Sequence, residues 1–152
     1  MSVISLTGKD TQIINGRILN DLPDGDVTKV TFNSDKWSIK TGKNGNSIYA
    51  YNYTGRQIEM DVRVLLGSDD DAFLNNLATL ADNNPAAFTL LNGTFVKNTG
   101  DGAGGITPVT YSLSGGVIRR GMDALENADG VTEQAVVVYR FFFSNASRTV
   151  GQ

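Results

Sequence analysis

The sequence predicts a mainly β fold, a β-barrel or β-sandwich with one flanking α-helix, and three observations carry this prediction. Apolar and polar residues alternate over residues 57–66, which is the period of a strand with one buried face. The chain has 17 glycines and only 3 prolines, and turn residues separate many short apolar stretches. Only the segment after Ser68 has apolar residues at helical spacing. With 152 residues in all, we treat residues 1–152 as a single domain.

The N-terminal part is predicted to consist of short strands joined by turns. Residues 2–7 and 12–19 each alternate between apolar and polar, which predicts two strands separated at residues 8–11. The stretch 21–26 combines proline, aspartate and glycine as a tight turn requires. Its carboxylates lack the further ligands of a calcium loop, so we interpret it as a turn into a strand at residues 27–32.

A hairpin with aromatic side chains is predicted next, from residues 37–41 and 47–54. Tyr49, Tyr51 and Tyr53 fall on one face of its second strand. Such a row of rings is typical of packing or subunit contact, and also of a surface that stacks on sugars or bases. We name these three tyrosines as candidate inter-subunit residues.

The strand at residues 57–66 has one apolar face and one polar face. It is longer than most strands, and its polar face has charges of both signs, which suits contact with water. The candidate functional residues on this face are Gln57, Glu59, Asp61 and Arg63.

The predicted helix begins after Ser68, whose hydroxyl is placed to cap the first turn. Three aspartates at positions 69–71 favour this end of the helix dipole, and Pro85 follows its end. The apolar stripe consists of Phe73, Leu77, Leu80 and Ala81, flanked by Leu74 and Ala78.

The C-terminal part is predicted to contain strands at residues 88–96, 109–118 and 134–143, with a polar connection at residues 119–133. The last strand is apolar on both sides, which predicts burial of both faces and favours oligomerisation. Residues 97–105 read as a flexible loop, and residues 144–152 as a polar arm that becomes ordered against a neighbour. Further candidate inter-subunit residues are Gly100, Gly102 and Gly104 in the loop and Arg148 in the arm.

Composition excludes several function classes. The chain has no cysteine and no histidine, which removes thiol and imidazole catalysis and Cys/His metal sites. Its net charge of -3 argues against tight binding of nucleic acid. No apolar run is long enough to span a membrane, and no signal peptide is recognisable. We therefore expect no enzymatic activity, no cofactor and no metal.

Residues 40–80 resemble the tail tube proteins of bacteriophages, especially the small tubes of contractile tails. The resemblance lies in the glycine- and asparagine-rich lead-in at residues 42–46, the strand after it, the stretch GRQIEMDVRVL and the run GSDDDAFLNNL into a helix. Related tubes occur in type VI secretion systems and pyocins.

The resemblance implies a virion protein, made in the host cytoplasm, that assembles as hexameric rings stacked into a hollow tube. Strands of each subunit would join a shared ring-shaped barrel, and double-stranded DNA would pass through its lumen into the host without sequence-specific binding. Sheath, baseplate and tape-measure proteins are the implied partners. Gln57, Glu59, Asp61 and Arg63 would then face the lumen. We expect this lining to be acidic on balance, unless Arg63 pairs across strands and makes it nearly neutral.

Three alternatives stay open. A carbohydrate- or receptor-binding β-sandwich would use Trp37 and the three tyrosines as stacking rings. An enzyme with paired carboxylates is formally open, although no two carboxylates are forced into one cleft. A head-tail connector or tail terminator would share the fold of a tube protein. Assembly state separates the first alternative from the tube.

Overall fold

The fold was obtained as a computed structural model that describes residues 4–23, 27–124 and 136–151. The described residues form a mainly β structure with one α-helix, as predicted. The strands are β1 (Ser5–Ile14), β2 (Arg17–Ile18), β3 (Thr28–Phe32), β4 (Trp37–Thr41), β5 (Ser47–Tyr51), β6 (Ile58–Leu65), β7 (Leu91–Gly100), β8 (Ile106–Ala124) and β9 (Val136–Val150). The helix is α1 (Asp69–Asn83), and two 3-10 turns cover Tyr53–Arg56 and Pro85–Ala87.

Seven strands form one antiparallel sheet in the order β2-β1-β7-β8-β9-β6-β3, and β4 and β5 form a separate two-stranded sheet. The strands at the two ends of the large sheet do not pair with each other in the described parts of the chain, so one subunit is not a closed barrel. The sheet nevertheless coils. Thr28 of β3 donates a hydrogen bond of 3.1 Å to the buried side chain of Gln12 in β1, which brings opposite ends of the sheet together.

The hydrophobic core lies on one face of the coiled sheet. Alternate residues of β6 are buried, and alternate residues of β9 lie directly opposite them in the ladder. Leu74 and Leu77 of α1 pack against this layer, as does Leu113 of β8. The buried residues of the two central strands are Ile58, Met60, Val62, Val64, Val137, Tyr139, Phe141 and Phe143.

The helix begins as predicted, because the Ser68 hydroxyl accepts a hydrogen bond from the amide of Asp71. The prediction for Leu80 is wrong: its side chain is 52% exposed beside the C-terminal turn. Leu74 and Leu77 are the leucines that α1 buries. The helix is anchored mainly at its first turn, so its far end contributes less to the core.

Asp70 anchors that first turn and is fully buried. Its carboxylate accepts hydrogen bonds from the backbone amides of Asn20 and Asp21, at 2.6 and 2.7 Å, and from the Arg17 guanidinium at 3.1 Å. In return, the Asp70 amide donates to the Asp21 carboxylate. A buried charge is tolerated when donors satisfy it in this way, and these donors tie α1 to the chain after β2.

The two strands predicted at residues 2–7 and 12–19 are wrong in their division. β1 runs through residues 8–11 with a register shift, and the turn comes at Asn15 and Gly16, which have φ of 52° and 86°. Asn-Gly is the pair that suits a tight hairpin turn with positive φ at both positions, so this signal was present in the sequence. Residues 2–3 and 24–26 of the predicted N-terminal elements lie outside the described residues.

The C-terminal strands are longer than predicted. Residues 97–100 belong to β7, and residues 119–124 extend β8. Residues 144–150, predicted as a free arm, form the second half of β9 and pair with residues 109–114 of β8. Their polar side chains suit a strand because both neighbouring strands satisfy the backbone, which composition does not reveal. The rest of the predicted connection and the start of the predicted last strand, residues 125–135, lie outside the described chain.

The prediction that β9 is buried on both faces is also wrong. Residues 137, 139, 141 and 143 are buried, whereas 136, 138, 140 and 142 are only partly covered. At Gly115 and Gly116 of β8, the ladder passes over the Phe143 ring, and a Cβ on Gly116 would collide with this ring. Gly115 has a φ of +66°. The two glycines therefore let β8 bend closely around the core.

We expect Asp70→Ala to lower the free energy of unfolding by about 3 kcal/mol, because three donors lose a buried acceptor. Asp69→Ala is the matched control: Asp69 stands in the same helical turn but is exposed, so its loss costs less than about 1 kcal/mol. Urea unfolding followed by circular dichroism measures both. Equal losses in the two variants would contradict the role of Asp70 as an anchor.

A second prediction concerns alkaline pH. The pKa of Tyr139 is raised, first by burial and then by its hydrogen bond of 2.5 Å to Asp71. Folding therefore favours the protonated phenol, and this stabilisation is complete below the ordinary tyrosine pKa of about 10 and declines as the pH rises above it. Above pH 10 we expect the wild type to lose stability more steeply than Tyr139→Phe, by up to about 1.4 kcal/mol per pH unit. Parallel pH profiles would refute this assignment.

Candidate functional site

The two-stranded sheet β4–β5 projects from the large sheet, and all ten of its residues are exposed. Its register pairs Trp37 with Tyr51 and Ile39 with Tyr49. Directly paired residues share a face, so these four side chains form one apolar surface, which we call the hairpin face. An isolated two-stranded sheet has marginal stability in water, and one that exposes an apolar face is suited to contact with another surface.

The predicted row of tyrosines is present in part. The ring centroids of Trp37 and Tyr51 are 5.1 Å apart, and those of Tyr51 and Tyr53 are also 5.1 Å apart, both edge to face. Tyr53 lies in the 3-10 turn after β5, because the strand ends at Tyr51 rather than at residue 54. The Arg56 guanidinium covers the Tyr53 ring at 5.4 Å.

A close backbone contact fixes the base of the hairpin. Gly55 is buried, and a Cβ at this position would lie 2.8 Å from the Cα of Lys36. Next to it, the Asn52 amide donates to the Lys36 carbonyl at 2.7 Å, and the Asn52 side chain donates to the Ser38 hydroxyl at 2.8 Å. The 3-10 turn therefore sets the direction in which the hairpin projects.

The predicted lumen-facing residues lie together on the polar face of β6. Glu59, Asp61 and Arg63 alternate with buried residues of the strand, and Gln57 comes directly before it. Glu59 forms an ion pair with Arg119 of β8. Asp61 contacts Arg140 of the neighbouring β9 at 3.0 Å.

Arg140 joins two carboxylates, since it also contacts Asp123 of β8 at 2.5 Å. Its pKa is raised, first by the hydrogen bond to Asp123 and then by the charge of Asp61. Its alternate position beside Val138 in the last strand would have placed Arg140 on this face from sequence, whereas nothing local places Arg119 there.

The acidic balance expected for this surface is wrong for its described residues. Three carboxylates, Glu59, Asp61 and Asp123, are accompanied by five basic side chains. Their arginine partners come from the neighbouring strands, which only the sheet order brings alongside. The basic side chains are Lys29, Arg63, Arg119, Arg120 and Arg140.

A cleft between the hairpin base and the β8–β9 pair was not predicted. Lys36 and Arg56 line it on the hairpin side, and Arg148 lines it on the sheet side. Its remaining described lining residues include no carboxylate, so we call it the basic cleft: Phe32, Tyr51, Ser112, Leu113, Ser114, Asn145, Ala146 and Ser147. Interaction with the Tyr51 phenol raises the pKa of Arg56. The three cations are far apart in sequence, and no local pattern links them.

The remaining candidate residues fall in two places. Gly100, Gly102 and Gly104 lie at the tip of the β7–β8 hairpin, where Asp101 accepts hydrogen bonds from the amides of Ala103 and Gly105. These hydrogen bonds lower the pKa of Asp101. Arg148 lies in β9, donates to the Tyr111 hydroxyl at 3.1 Å and faces the basic cleft. The structure does not bring the glycines and Arg148 together into one site.

Within the described ranges, no group of three or more acidic side chains converges as a metal site would require. The same ranges hold no helix with the length and hydropathy for crossing a bilayer. What the surfaces offer is binding through an apolar face, through paired charges and through a basic cleft.

Comparison with protein-family models finds no family that matches the chain, and comparison with curated proteins finds no match either.

Trp37 is the only tryptophan of the chain, so its fluorescence reports on the hairpin alone. We expect Gly55→Ala to displace Lys36 and shift the Trp37 emission, while the far-ultraviolet circular dichroism keeps its β spectrum. Gly42→Ala is the control in the same hairpin, because its Cβ would meet only the Asn46 carbonyl at 3.7 Å. An unchanged emission in Gly55→Ala would show that this contact does not fix the hairpin.

Proposed function

We propose that the chain is a structural subunit that assembles with copies of itself, as tail tube proteins of bacteriophages do. The observation that carries the proposal is the hairpin face: Trp37, Ile39, Tyr49 and Tyr51 are between 37% and 64% exposed on a projecting two-stranded sheet. In water this arrangement exposes apolar area without return, and contact with another subunit would bury it.

The edges of the large sheet give further support. β3 pairs on one side only, with β6, and most of β1 pairs only with β7 because β2 covers just Ile13 and Ile14. Unpaired strand edges are templates for pairing with another chain. Joining such edges around a ring would extend the sheets of several subunits into the shared barrel that the resemblance implies.

The charged face of β6, β8 and β9 suits a lumen in this proposal. Its carboxylates are engaged by arginines, so the surface has mixed signs and stays hydrated. A mixed surface holds a phosphate backbone less firmly than a uniformly basic one, since neighbouring carboxylates offset the attraction. Hexameric rings, a tube that delivers DNA, and partnership with sheath, baseplate and tape-measure proteins all belong to this proposal.

The exposed rings also favour a second candidate, a carbohydrate-binding module. Trp37 and Tyr49 are 53% and 64% exposed and share the hairpin face, as stacking platforms for sugars do. This candidate predicts a monomer or a small closed oligomer that binds a glycan array through Trp37. The tube subunit predicts open-ended stacking.

Negative-stain electron microscopy after size-exclusion chromatography tests the proposal. We expect concentrated wild-type protein to form rings or hollow tubes, and the double variant Ile39→Ser/Tyr49→Ser to remain monomeric under the same conditions. Ile48→Ser is the matched control, because Ile48 is 71% exposed on the same hairpin but pairs with Lys40 on the opposite face.

A wild type that stays monomeric at every concentration and binds glycans through Trp37 would overturn the proposal in favour of the sugar-binding module. Assembly that Ile48→Ser and the double variant impair equally would mean that the hairpin face is not the contact.

A further inference from the structure

We propose that the basic cleft receives the acidic segment 125–135 of a second copy, so that copies associate head to tail. This inference rests on the proposed self-assembly and names the contact that gives it a direction. The argument has three steps: the charge of the cleft, the charge of the segment and the distance between them.

The cleft is built to hold carboxylates. The Lys36 ammonium lies 5.6 Å from the Phe32 ring centre, and the Arg148 guanidinium lies 5.8 Å from the Tyr111 ring centre. These rings hold the cations without neutralising them, and no described lining residue is acidic. Hydroxyls of Ser112, Ser114 and Ser147 add hydrogen-bond donors along the same cleft. An acidic peptide would meet both charge and donors.

The segment 125–135 reads LENADGVTEQA and joins the end of β8 to the start of β9. It has three carboxylates, Glu126, Asp129 and Glu133, and no lysine or arginine. Three carboxylates match three cations in number, which gives the charge complementarity that guides specific association.

Distance excludes the cleft of the same chain. The cleft meets β8 at Ser112–Ser114, and the segment begins after Ala124, ten strand positions from Ser114 and on the order of 30 Å away. Asp129 is five residues from Ala124, so a fully extended chain carries it at most about 17 Å. Only a second copy can therefore place these carboxylates in the cleft.

The contact joins two different surfaces at opposite ends of the β8–β9 pair. Such a heterologous contact leaves a free cleft on one copy and a free segment on the other, so further copies can add. A stack grown in this way has a direction, as a tube that grows from one end requires.

Charge reversal tests the contact. We expect Arg56→Glu/Arg148→Glu and, separately, Glu126→Lys/Asp129→Lys/Glu133→Lys to weaken self-association at low salt by about tenfold or more. Both sets combined in one chain should restore it. Lys40→Glu/Lys43→Glu is the matched control, because it makes the same charge change on exposed residues that do not line the cleft. Sedimentation velocity measures association in all four proteins.

A labelled peptide of residues 124–136 separates this inference from the proposed function. We expect wild-type protein to bind it, Arg56→Glu/Arg148→Glu to lose about tenfold in affinity, and rising salt to weaken it. If wild-type protein forms tubes but the peptide does not bind and the segment variant associates normally, the inference fails and the proposed function stands. If the peptide binds in the cleft but no assembly of any size forms, the proposed function fails and the cleft assignment stands. Stronger cleft-dependent binding of a single-stranded oligonucleotide than of the peptide would assign the cleft to phosphates and overturn the inference.

Discussion

The pairing of β6 with β9 is the constraint on which the rest of the structure depends. Their ladder sets Met60 against Phe141 and Val62 against Tyr139, with all four side chains buried. Side chains alternate between faces with a period of two, so the same register places Asp61 opposite Arg140 on the other face. A slip by one residue would move charges into the core and expose aromatic rings, which is why this register is strongly specified.

Polar groups complete this apolar core at the end where α1 begins. Asp70 joins the first helical turn to the chain after β2, and Asp71 accepts a hydrogen bond from the buried Tyr139 hydroxyl. Adjacent aspartates thus serve different purposes: one satisfies backbone donors, and the other satisfies a core side chain. Carboxylates that favour the helix dipole therefore also determine where the helix lies on the sheet.

The surfaces separate into types that suit an assembling subunit. The hairpin face is apolar and projects from the sheet, the basic cleft lies at the hairpin base, and the charged face spreads over β6, β8 and β9. Apolar area provides the affinity of an interface, whereas charge selects partner and orientation. In the proposed assembly, the hairpin would supply contact area, and the cleft with segment 125–135 would set direction.

Sequence by itself determined the features that depend on neighbouring residues. The alternation in β6, the Ser68 cap of α1 and the β4–β5 hairpin were predicted, since periodicity and capping act over a few residues. Tertiary structure alone decided that residues 144–150 form a strand, that Arg119 reaches Glu59, and that Lys36, Arg56 and Arg148 share a cleft. These features depend on strand order and register, which join residues distant in sequence, and the free energy of such contacts does not appear in any local pattern.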